Sequence, residues 1–166
     1  MTTDVYVSLG SNINKDHNIA SGLKALTSHF GLLTTSSVYE SEAIGFTGAP
    51  FYNLVACFNT NHDAHTVAKQ LRQIEFDHGR SSNSQKFSSR TLDLDLILFG
   101  DLILTEGALQ LPRPDIERYA FVLMPLAEIA PNLTHPVLLR TYQELWQIMQ
   151  SSLTSLPIRH PNLANT

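Results

Sequence analysis

The sequence is poor in cysteine, with Cys57 the only one among 166 residues. A disulfide-stabilised scaffold is therefore excluded, and a reducing, cytoplasmic environment is expected. No apolar run approaches the roughly 18 residues that a membrane-spanning helix requires. The N-terminus also lacks a basic region followed by an apolar core. We therefore expect neither a signal peptide nor a membrane partner.

Positive charge is scarce as well, because 11 lysine and arginine residues face 15 acidic ones and the formal net charge is -4. A nucleic-acid-binding surface needs clustered basic residues, so a nucleic-acid partner is not expected. Hydrophobic residues form 43% of the chain, which is typical of a globular protein. Since no repeat, charge block or linker interrupts the sequence, residues 1–166 are predicted to form one domain, and we expect a monomer.

The clearest local pattern lies in segment 90–100, where leucine occupies every second position from 92 to 98. Asp93, Asp95, Ile97 and Phe99 fill the alternate positions. A period of two predicts a β-strand, since successive side chains point to opposite faces. The leucines are expected to take one face, and the two aspartates the other, which turns apolar at Ile97 and Phe99.

Two neighbouring carboxylates repel each other, and burial raises that cost. Protonation of one acid, an arginine partner or a hard divalent cation could each neutralise them. Mg²⁺ fits because it takes one or two carboxylates and completes its shell with water and substrate phosphates. The alternative is an amphipathic strand whose aspartates simply face water.

The remaining periodicities predict mixed secondary structure. Strands are expected near 5–9, 33–39 and 54–60. Amphipathic helices are expected near 16–30, with Asn14 or Asp16 at its start and Gly31 at its end, and near 64–78, capped by Asp63. Two short buried segments are expected at 120–124 and 126–130, and Thr141 with Glu144 has the spacing of a capping box. This order predicts an α+β fold, a ferredoxin-like three-layer α-β-α sandwich with a mainly antiparallel sheet.

Several short segments, in this order and at these spacings, resemble the 6-hydroxymethyl-7,8-dihydropterin pyrophosphokinase family over roughly the first 135 residues. They are Leu9-Gly-Ser-Asn12, Ser37-Val-Tyr39 with Gly45, Phe51-Tyr-Asn53, Glu75 with Gly79-Arg80, Arg90-Thr-Leu-Asp-Leu-Asp95, and the segment from Phe121 to Pro131. The segment Arg90 to Asp95 is the most specific of these.

The resemblance implies transfer of the terminal pyrophosphate of ATP to the hydroxymethyl group of the pterin, with release of AMP, in folate biosynthesis. It implies that Asp93 and Asp95 hold two Mg²⁺ ions along the triphosphate and that Asp95 lies nearest the substrate hydroxyl. Arg80 and Arg90 are similar to the family's phosphate-contacting arginines and complete the expected catalytic set with Asp95. The alternative for both arginines is an ion pair with the two aspartates.

The resemblance also implies a pterin site. Phe51 and Phe121 occupy the positions whose rings sandwich the pterin, and Asn53 matches an asparagine that pairs with the pterin edge. Ser41 and Ile44 stand where the family presents backbone groups to the ring. For either phenylalanine the alternative is core packing, whereas a buried amide such as Asn53 must be paired to be tolerated.

The nucleotide side departs from the family pattern. ATP binding is expected from Arg80, Arg90, Leu96, Arg113 and Arg118. However, Ser82 and Phe87 replace an arginine and a tryptophan in a polar segment, 81–89. Arg113, Asp115 and Tyr119 stand where histidine, arginine and arginine are common.

These departures leave other functions open. Besides the transferase, a divergent pterin-binding relative with weak or altered transfer is an alternative, and a ferredoxin-like nucleic-acid-binding module is a more distant one. His62 and His65 lie three residues apart, but no carboxylate or cysteine set completes a recognisable metal site with them. We interpret both histidines as surface residues.

Overall fold

The computed structural model describes residues 2–42, 48–79, 91–153 and 155–160. The strands are β1 (Thr3–Ser11), β2 (Thr34–Thr35), β3 (Val38–Ser41), β4 (Phe51–Thr60), β5 (Asp93–Phe99), β6 (Leu104–Glu106), β7 (Leu109–Leu111) and β8 (Ile158–His160). The helices are α1 (Lys15–Phe30), α2 (Ala64–Asp77), α3 (Asp115–Arg118), α4 (Ala120–Ile129) and α5 (Tyr142–Gln150).

The main sheet is antiparallel throughout its described pairings, with the strand order β5-β1-β4-β3-β8 and β2 beside β4. Strands β6 and β7 form a separate hairpin. In the register of the sheet, Gly10 of β1 lies opposite both Asp93 and Asn53, and Asn53 lies opposite Tyr39. One row of the sheet therefore joins the aspartate strand to the strands predicted to bind the pterin.

Each face of the sheet carries its own layer of helices and its own hydrophobic core. Helices α1 and α2 cover one face, where Val7, Leu54 and Leu94 are buried beneath Leu26 and Ile74. Helices α3, α4 and α5 cover the opposite face, referred to below as the α4 face. The buried core of this face comprises Val55, Ile97, Leu98, Ile116, Val122, Leu123, Leu126, Ala127, Ala130 and Tyr142. The three-layer α+β sandwich expected from the sequence is confirmed.

The strict alternation predicted for β5 is wrong beyond Leu96. The register between β1 and β5 shifts between Tyr6 and Val7, so that Leu96 lies opposite Val7 whereas Leu98 lies opposite Tyr6. A β-bulge inserts one residue and reverses the inward-outward order beyond it. Leu98 therefore joins Ile97 in the α4-face core, and Phe99 packs against the opposite core.

The single strand expected at 33–39 is divided into β2 and β3. Ser36 and Ser37 interrupt it: the Ser36 N–H donates to the Val55 carbonyl at 2.9 Å, and the Val55 N–H donates to the Ser36 hydroxyl at 3.0 Å. A serine side chain can replace a ladder partner in this way, which allows the chain to bend within the sheet.

The two buried segments expected at 120–130 form one helix, α4, with Pro125 in its interior. Strong burial of its apolar side chains keeps the helix continuous despite the proline. Beyond Ser151, where the sequence has little pattern, β8 pairs with β3 through the partners Val38 and His160. A three-residue edge strand leaves too short a pattern to be recognised in the sequence.

The predicted helix caps are largely confirmed. The Asp63 carboxylate accepts the Thr66 N–H at 2.8 Å, and Thr141 and Glu144 form a reciprocal capping box. Asn14, one of the two residues expected to begin α1, takes the N-cap position in a left-handed conformation and makes no side-chain cap hydrogen bond. Asp16, the other, lies in the first turn, where its charge still favours the helix dipole.

Candidate active site

Asp93 and Asp95 begin β5 and project toward the α4 face, before the bulge reverses the order of the side chains. Both are half-buried rather than fully exposed. They are two positions apart, so their Cα atoms are roughly 6.5 Å from one another along the strand. The two acids therefore share one face of the strand and are partly shielded from water.

Glu75 of α2 supports this strand from its outer edge. Its side chain is only 2% exposed, and its Oε2 accepts the backbone N–H of Leu94, which lies between the two aspartates, at 2.7 Å. Arg72 lies 3.8 Å from the other carboxylate oxygen. A charge-assisted bond to a strand N–H is stronger than a neutral one, so Glu75 holds the segment that carries both acids. Glu75 belongs to the segments that carry the family resemblance, but its partner could not be inferred from the sequence.

Arg113 forms an ion pair with Asp95 and brings a positive charge next to the two acids. Its Nη2 lies 3.6 Å from Asp95 Oδ1, and its Nε donates to Asp115 Oδ2 at 3.1 Å. Burial lowers the pKa of the guanidinium, but the carboxylates of Asp95 and Asp115 outweigh that effect and the net pKa is raised. Arg113 therefore remains charged beside the acids.

Three of the residues expected to bind the pterin, Ser41, Phe51 and Asn53, lie close together on β3 and β4. Asn53 is 4% exposed, and its Nδ2 donates to the Ser41 hydroxyl at 3.0 Å. A Cβ on Gly10 would lie 2.9 Å from Asn53 Oδ1 and 3.7 Å from Phe51 Cδ1. The missing side chain at Gly10 therefore leaves room for the Asn53 amide and for the ring of Phe51, which is half-buried.

Phe121 lies at the start of α4, where its ring stacks on that of Tyr119 with a centroid distance of 5.0 Å and an interplanar angle of 18°. Tyr119, which stands where the family commonly has arginine, thus packs against one of the two expected pterin-stacking rings. Arg118 ends α3 as an exposed residue. The adjacent positions 118 and 119 therefore have different surroundings: Arg118 is exposed, whereas Tyr119 packs against Phe121.

A carboxylate on α4 holds β3 in place at the far side of this site. Glu128 accepts the Ser37 N–H at 3.1 Å, the Ser37 hydroxyl at 2.9 Å and the Tyr39 hydroxyl at 2.7 Å. Burial, together with the hydrogen bond to Glu128, raises the pKa of Tyr39 to about 12. Tyr39 therefore stays protonated and keeps donating, which anchors the strand that carries Ser41.

A pocket of about 260 Å³ lies along β5, between α2 and the β6–β7 hairpin. Its lining is His65, Ala68, Leu71, Arg72, Leu94, Asp95, Leu96, Glu106, Ala108 and Leu109. Asp95 and Leu96, both predicted to serve the nucleotide, share this pocket. The contribution of α2 to this pocket was missed from the sequence, where Leu71 is only one of the apolar residues along a predicted helix.

The rim of the pocket carries a polar contact between α2 and the hairpin. His65 Nε2 lies 2.7 Å from Glu106 Oε2, and both side chains are more than half exposed. The surface location expected for His65 agrees with this geometry.

Three predicted site residues, Ile44, Arg80 and Arg90, lie outside the described residues, as does the polar segment 81–89.

The donor set of Asp93 and Asp95 suits Mg²⁺. Both donors are hard carboxylate oxygens on one face, and such sites in proteins use one or two carboxylates with water and substrate phosphates. Among the described ranges, no group of three or more histidine, cysteine or acidic side chains converges on a point. A metal held by two carboxylates and a phosphorylated substrate needs no such group, so these residues fit the ion.

Comparison with solved structures identifies the kind of domain. Two crystal structures of Plasmodium falciparum HPPK-DHPS, one with pteroate and one with pterin and p-hydroxybenzoate, match with TM-scores of 0.74 and 0.75. Identity is 15% and 14%; each match covers 91% of this chain but only 43% and 44% of the larger solved chain. At this identity the likeness establishes the ferredoxin-like α+β fold of HPPK domains.

Sequence comparison defines the class as kinases that transfer a pyrophosphate group. The protein belongs to the 7,8-dihydro-6-hydroxymethylpterin-pyrophosphokinase (HPPK) family, whose model matches residues 6–131. The 2-amino-4-hydroxy-6-hydroxymethyldihydropteridine pyrophosphokinase of Haemophilus influenzae is 37% identical over 135 residues, covering 79% of this chain and 84% of the relative. The enzyme of the same name from Pseudomonas aeruginosa is 36% identical over 140 residues, covering 82% and 86%.

A longer relative, the folic acid synthesis protein FOL1 of Dictyostelium discoideum, is 35% identical over 136 residues. This chain covers only 20% of that protein, so the likeness concerns one part of it. The family and the names of its bacterial relatives support pyrophosphate transfer from ATP to hydroxymethyldihydropterin in folate synthesis.

Within the described ranges, no helix has the length and apolar character needed to cross a bilayer.

Proposed function

We propose that this chain itself transfers pyrophosphate from ATP to 6-hydroxymethyl-7,8-dihydropterin, releases AMP, and depends on two Mg²⁺ ions held by Asp93 and Asp95. The observation that carries the proposal is the row of the sheet that joins Asp93, Gly10 and Asn53. It places the acids two strand spacings, or about 10 Å, from the amide expected to hold the pterin. Both substrates could therefore approach one another above Gly10.

The pterin side of the site would use Asn53, Ser41 and Phe51. A flat heterocycle with donors and acceptors on its edge is held best by a fixed amide and by an aromatic face. The Asn53–Ser41 hydrogen bond fixes the orientation of the amide. Phe121, braced by Tyr119, would supply a second ring, and Ile44 a backbone contact.

The nucleotide would enter the pocket beside β5. Its wall combines apolar side chains such as Ala68, Leu71 and Leu96 with Arg72, which suits a base whose faces are apolar and whose edge is polar. Asp95 at the same pocket would place the triphosphate near the acids. Arg80, Arg90, Arg113 and Arg118 are the candidates to contact its phosphates, because guanidinium groups match phosphate oxygens in pairs.

The transfer forms a bond from the pterin hydroxymethyl oxygen to the β-phosphorus and breaks the bond from that phosphorus to the α-phosphate oxygen, so AMP leaves. Alignment and charge stabilisation supply most of such catalysis. Mg²⁺, when bound, supplies positive charge to the attacking and leaving oxygens. As the family resemblance implies, Asp95 would lie nearest the substrate hydroxyl, and the arginines would stabilise the charge that develops on the phosphates.

A direct test measures AMP release from ATP, Mg²⁺ and 6-hydroxymethyl-7,8-dihydropterin. We expect Asp93→Asn and Asp95→Asn each to lower kcat by roughly a hundredfold or more, the usual scale for loss of a group that acts on the transition state. Asp101→Asn is the matched control, because Asp101 is an exposed acid in the turn after β5. Thermal melting should show that all three variants fold.

Full activity in both Asp93→Asn and Asp95→Asn would contradict the metal assignment. A protein that releases no AMP even at high concentration, yet binds the pterin in calorimetry, would instead be the divergent pterin-binding relative. The ion pair of Arg113 with Asp95 is the observation that keeps this second function in view, because it places a fixed cation where the metal is needed.

We further propose that the chain acts as a monomer in a reducing compartment such as the cytoplasm. The presence of a single cysteine, Cys57, supports the second point, since secreted domains of modest size commonly rely on disulfides. Light scattering of the purified protein tests the first; a mass near 37 kDa, twice the 18.5 kDa of one chain, would contradict it.

A further inference from the structure

Arg113 departs from the family pattern in residue type. It stands where histidine is common, and three separate contacts fix it. Its backbone N–H donates to the Ile97 carbonyl at 3.0 Å, which attaches this part of the chain to β5 two residues beyond Asp95. Its Nε donates to Asp115, and its Nη2 lies 3.6 Å from Asp95.

Asp115 makes this arrangement rigid. The residue is only 8% exposed and lies at the start of α3, so burial restricts the movement of its side chain. The Arg113 side chain is about three-quarters buried, at 26% relative exposure. A guanidinium that is held by one acid through Nε loses little further entropy when Nη2 meets a second acid.

We propose that Arg113 is the counter-cation of Asp95. In the nucleotide-free protein its guanidinium pairs with the Asp95 carboxylate and competes with the divalent metal for that carboxylate. The inference rests on the proposed function only in taking Asp95 as a metal ligand. It assigns Arg113 a positioning role in addition to the phosphate contact considered above.

The competition follows from charge and space. A divalent ion at Asp95 would place two positive charges within a few ångströms of the guanidinium, and like charges at that distance disfavour one another. The metal must therefore displace Arg113 or bind more weakly beside it. A nucleotide changes this balance, because its phosphates bring negative charge that can accept the displaced guanidinium.

The consequence is that binding of the metal depends on the nucleotide. Metal alone should bind the free protein weakly, whereas the metal–nucleotide complex should bind well because it gives Arg113 a new partner. Removal of Arg113 should separate these two effects: it strengthens binding of the bare ion and weakens binding of the nucleotide complex. A residue with only a structural role would not change the two affinities in opposite directions.

The test titrates Mn²⁺ into the nucleotide-free protein and follows the free ion by electron paramagnetic resonance. We expect Arg113→Gln to bind Mn²⁺ roughly tenfold more tightly than the wild type, the order of magnitude for removing one partly screened opposing charge. Arg140→Gln is the charge-matched control, since Arg140 is exposed in the turn before α5 and should leave Mn²⁺ affinity unchanged. Calorimetry should show that Arg113→Gln weakens binding of Mg²⁺ with a non-hydrolysable ATP analogue.

A second variant covers the possibility that Arg113→Gln fails to fold. Arg113→Lys keeps the positive charge but cannot pair with Asp115 and Asp95 through two separate nitrogen atoms, so Mn²⁺ affinity should rise by a smaller factor, roughly threefold, as expected for a weakened contact to a charged group. If Arg113→Gln and Arg113→Lys both bind Mn²⁺ no more tightly than Arg140→Gln, the proposal is overturned.

Asp95→Asn separates this outcome from failure of the proposed function. If Asp95→Asn abolishes Mn²⁺ binding while Arg113→Gln leaves it unchanged, Asp95 remains a metal ligand and only the role of Arg113 is wrong. If Asp95→Asn leaves Mn²⁺ binding intact, the metal assignment itself fails, and the inference about Arg113 fails with it.

Discussion

At the scale of single residues, the candidate pterin site depends on one missing side chain. Gly10 lies in the extended part of β1 opposite Asn53, and its role is close approach rather than an unusual backbone conformation. The Asn53 oxygen occupies the space that a Cβ would need. The buried amide therefore lies against the backbone of β1, with Ser41 on its other side.

Gly10→Ala tests this packing. The added methyl would meet Asn53 Oδ1 at 2.9 Å, so the amide must rotate away from its present orientation. We expect the KM for the pterin to rise about tenfold, since misplacing one fixed polar group costs on the order of 1–2 kcal/mol. The KM for ATP should change little, and steady-state kinetics with each substrate varied in turn measures both.

The reference for Gly10→Ala is Asn53→Ala. If the methyl acts only through the amide, Gly10→Ala should add no further loss in the Asn53→Ala background, as in a double-mutant cycle for two contacting groups. An additive effect of the two substitutions would show that Gly10 acts through something other than Asn53.

At the scale of secondary-structure elements, β5 is the edge of the described sheet and its outward N–H groups need partners. Glu75 satisfies that of Leu94 from a position inside α2. A helix thereby substitutes a side chain for the missing neighbouring strand, and it does so between the two acids. The β1–β5 bulge lies a few residues further on, where bulges commonly adjust the direction of side chains at active sites.

Glu75→Leu should lower the free energy of unfolding by about 2–4 kcal/mol, because the buried Leu94 N–H loses its acceptor and Arg72 loses its acidic neighbour. Glu75→Gln retains an amide oxygen of the same reach, so the loss should be nearer 1 kcal/mol. Urea denaturation followed by circular dichroism measures both. Equal losses in the two variants would mean that charge, and not the bond to Leu94, is what stabilises the strand.

The Glu75→Gln substitution should also affect metal binding by Asp93 and Asp95. Glu75→Gln is expected to weaken Mn²⁺ binding in the presence of ATP by a few-fold, since a less firmly held strand positions its two carboxylates less well. Asp77→Asn, at the exposed end of the same helix, is the matched control.

At the scale of the whole molecule, stability should depend on a buried histidine outside the candidate site. His135 is 3% exposed in the turn between α4 and α5, and its Nδ1 accepts the N–H groups of Val137 and Leu138 at 3.1 and 3.0 Å. Burial lowers the pKa of His135, and Glu117 offsets this only in part. Protonation would also place a hydrogen on the accepting nitrogen.

The sign of the pH effect follows from that lowered pKa. Above the ordinary histidine pKa of about 6.5, the folded and unfolded chains are both neutral at this residue and its contribution is fully present. As the pH falls below that value, the unfolded chain takes up a proton first, so the free energy of unfolding decreases. We expect the melting temperature to fall more steeply with acidification in the wild type than in His135→Asn.

The asparagine variant keeps the turn while it removes the titration. Its Oδ1 can accept the two N–H groups that Nδ1 accepts now, in the manner of an Asx turn. Differential scanning calorimetry from pH 7.5 downward on both proteins gives the comparison. Parallel curves would show that His135 makes no contribution to the acid dependence.

Much of the architecture follows from patterns that are local in the sequence. Asp63, Thr141 with Glu144, and Gly31 mark helix ends by chemistry that acts within a few residues, and each of them does so in the structure. The alternation from Leu92 to Leu96 likewise places Asp93 and Asp95 on one face. The same alternation failed at Leu98, because a bulge depends on the register with β1 and not on β5 alone.

The sequence by itself determined the α+β class, the two helix layers, the paired acids and, through its resemblance to a family, the residues to examine. Only the tertiary structure decided which distant groups meet: Glu75 beneath Leu94, Asn53 against Gly10, and Arg113 beside Asp95. The physical reason is that caps and periodicity act over one or two turns of chain. Contacts between residues 18 or more positions apart are set by strand register and helix packing, and no local pattern encodes these.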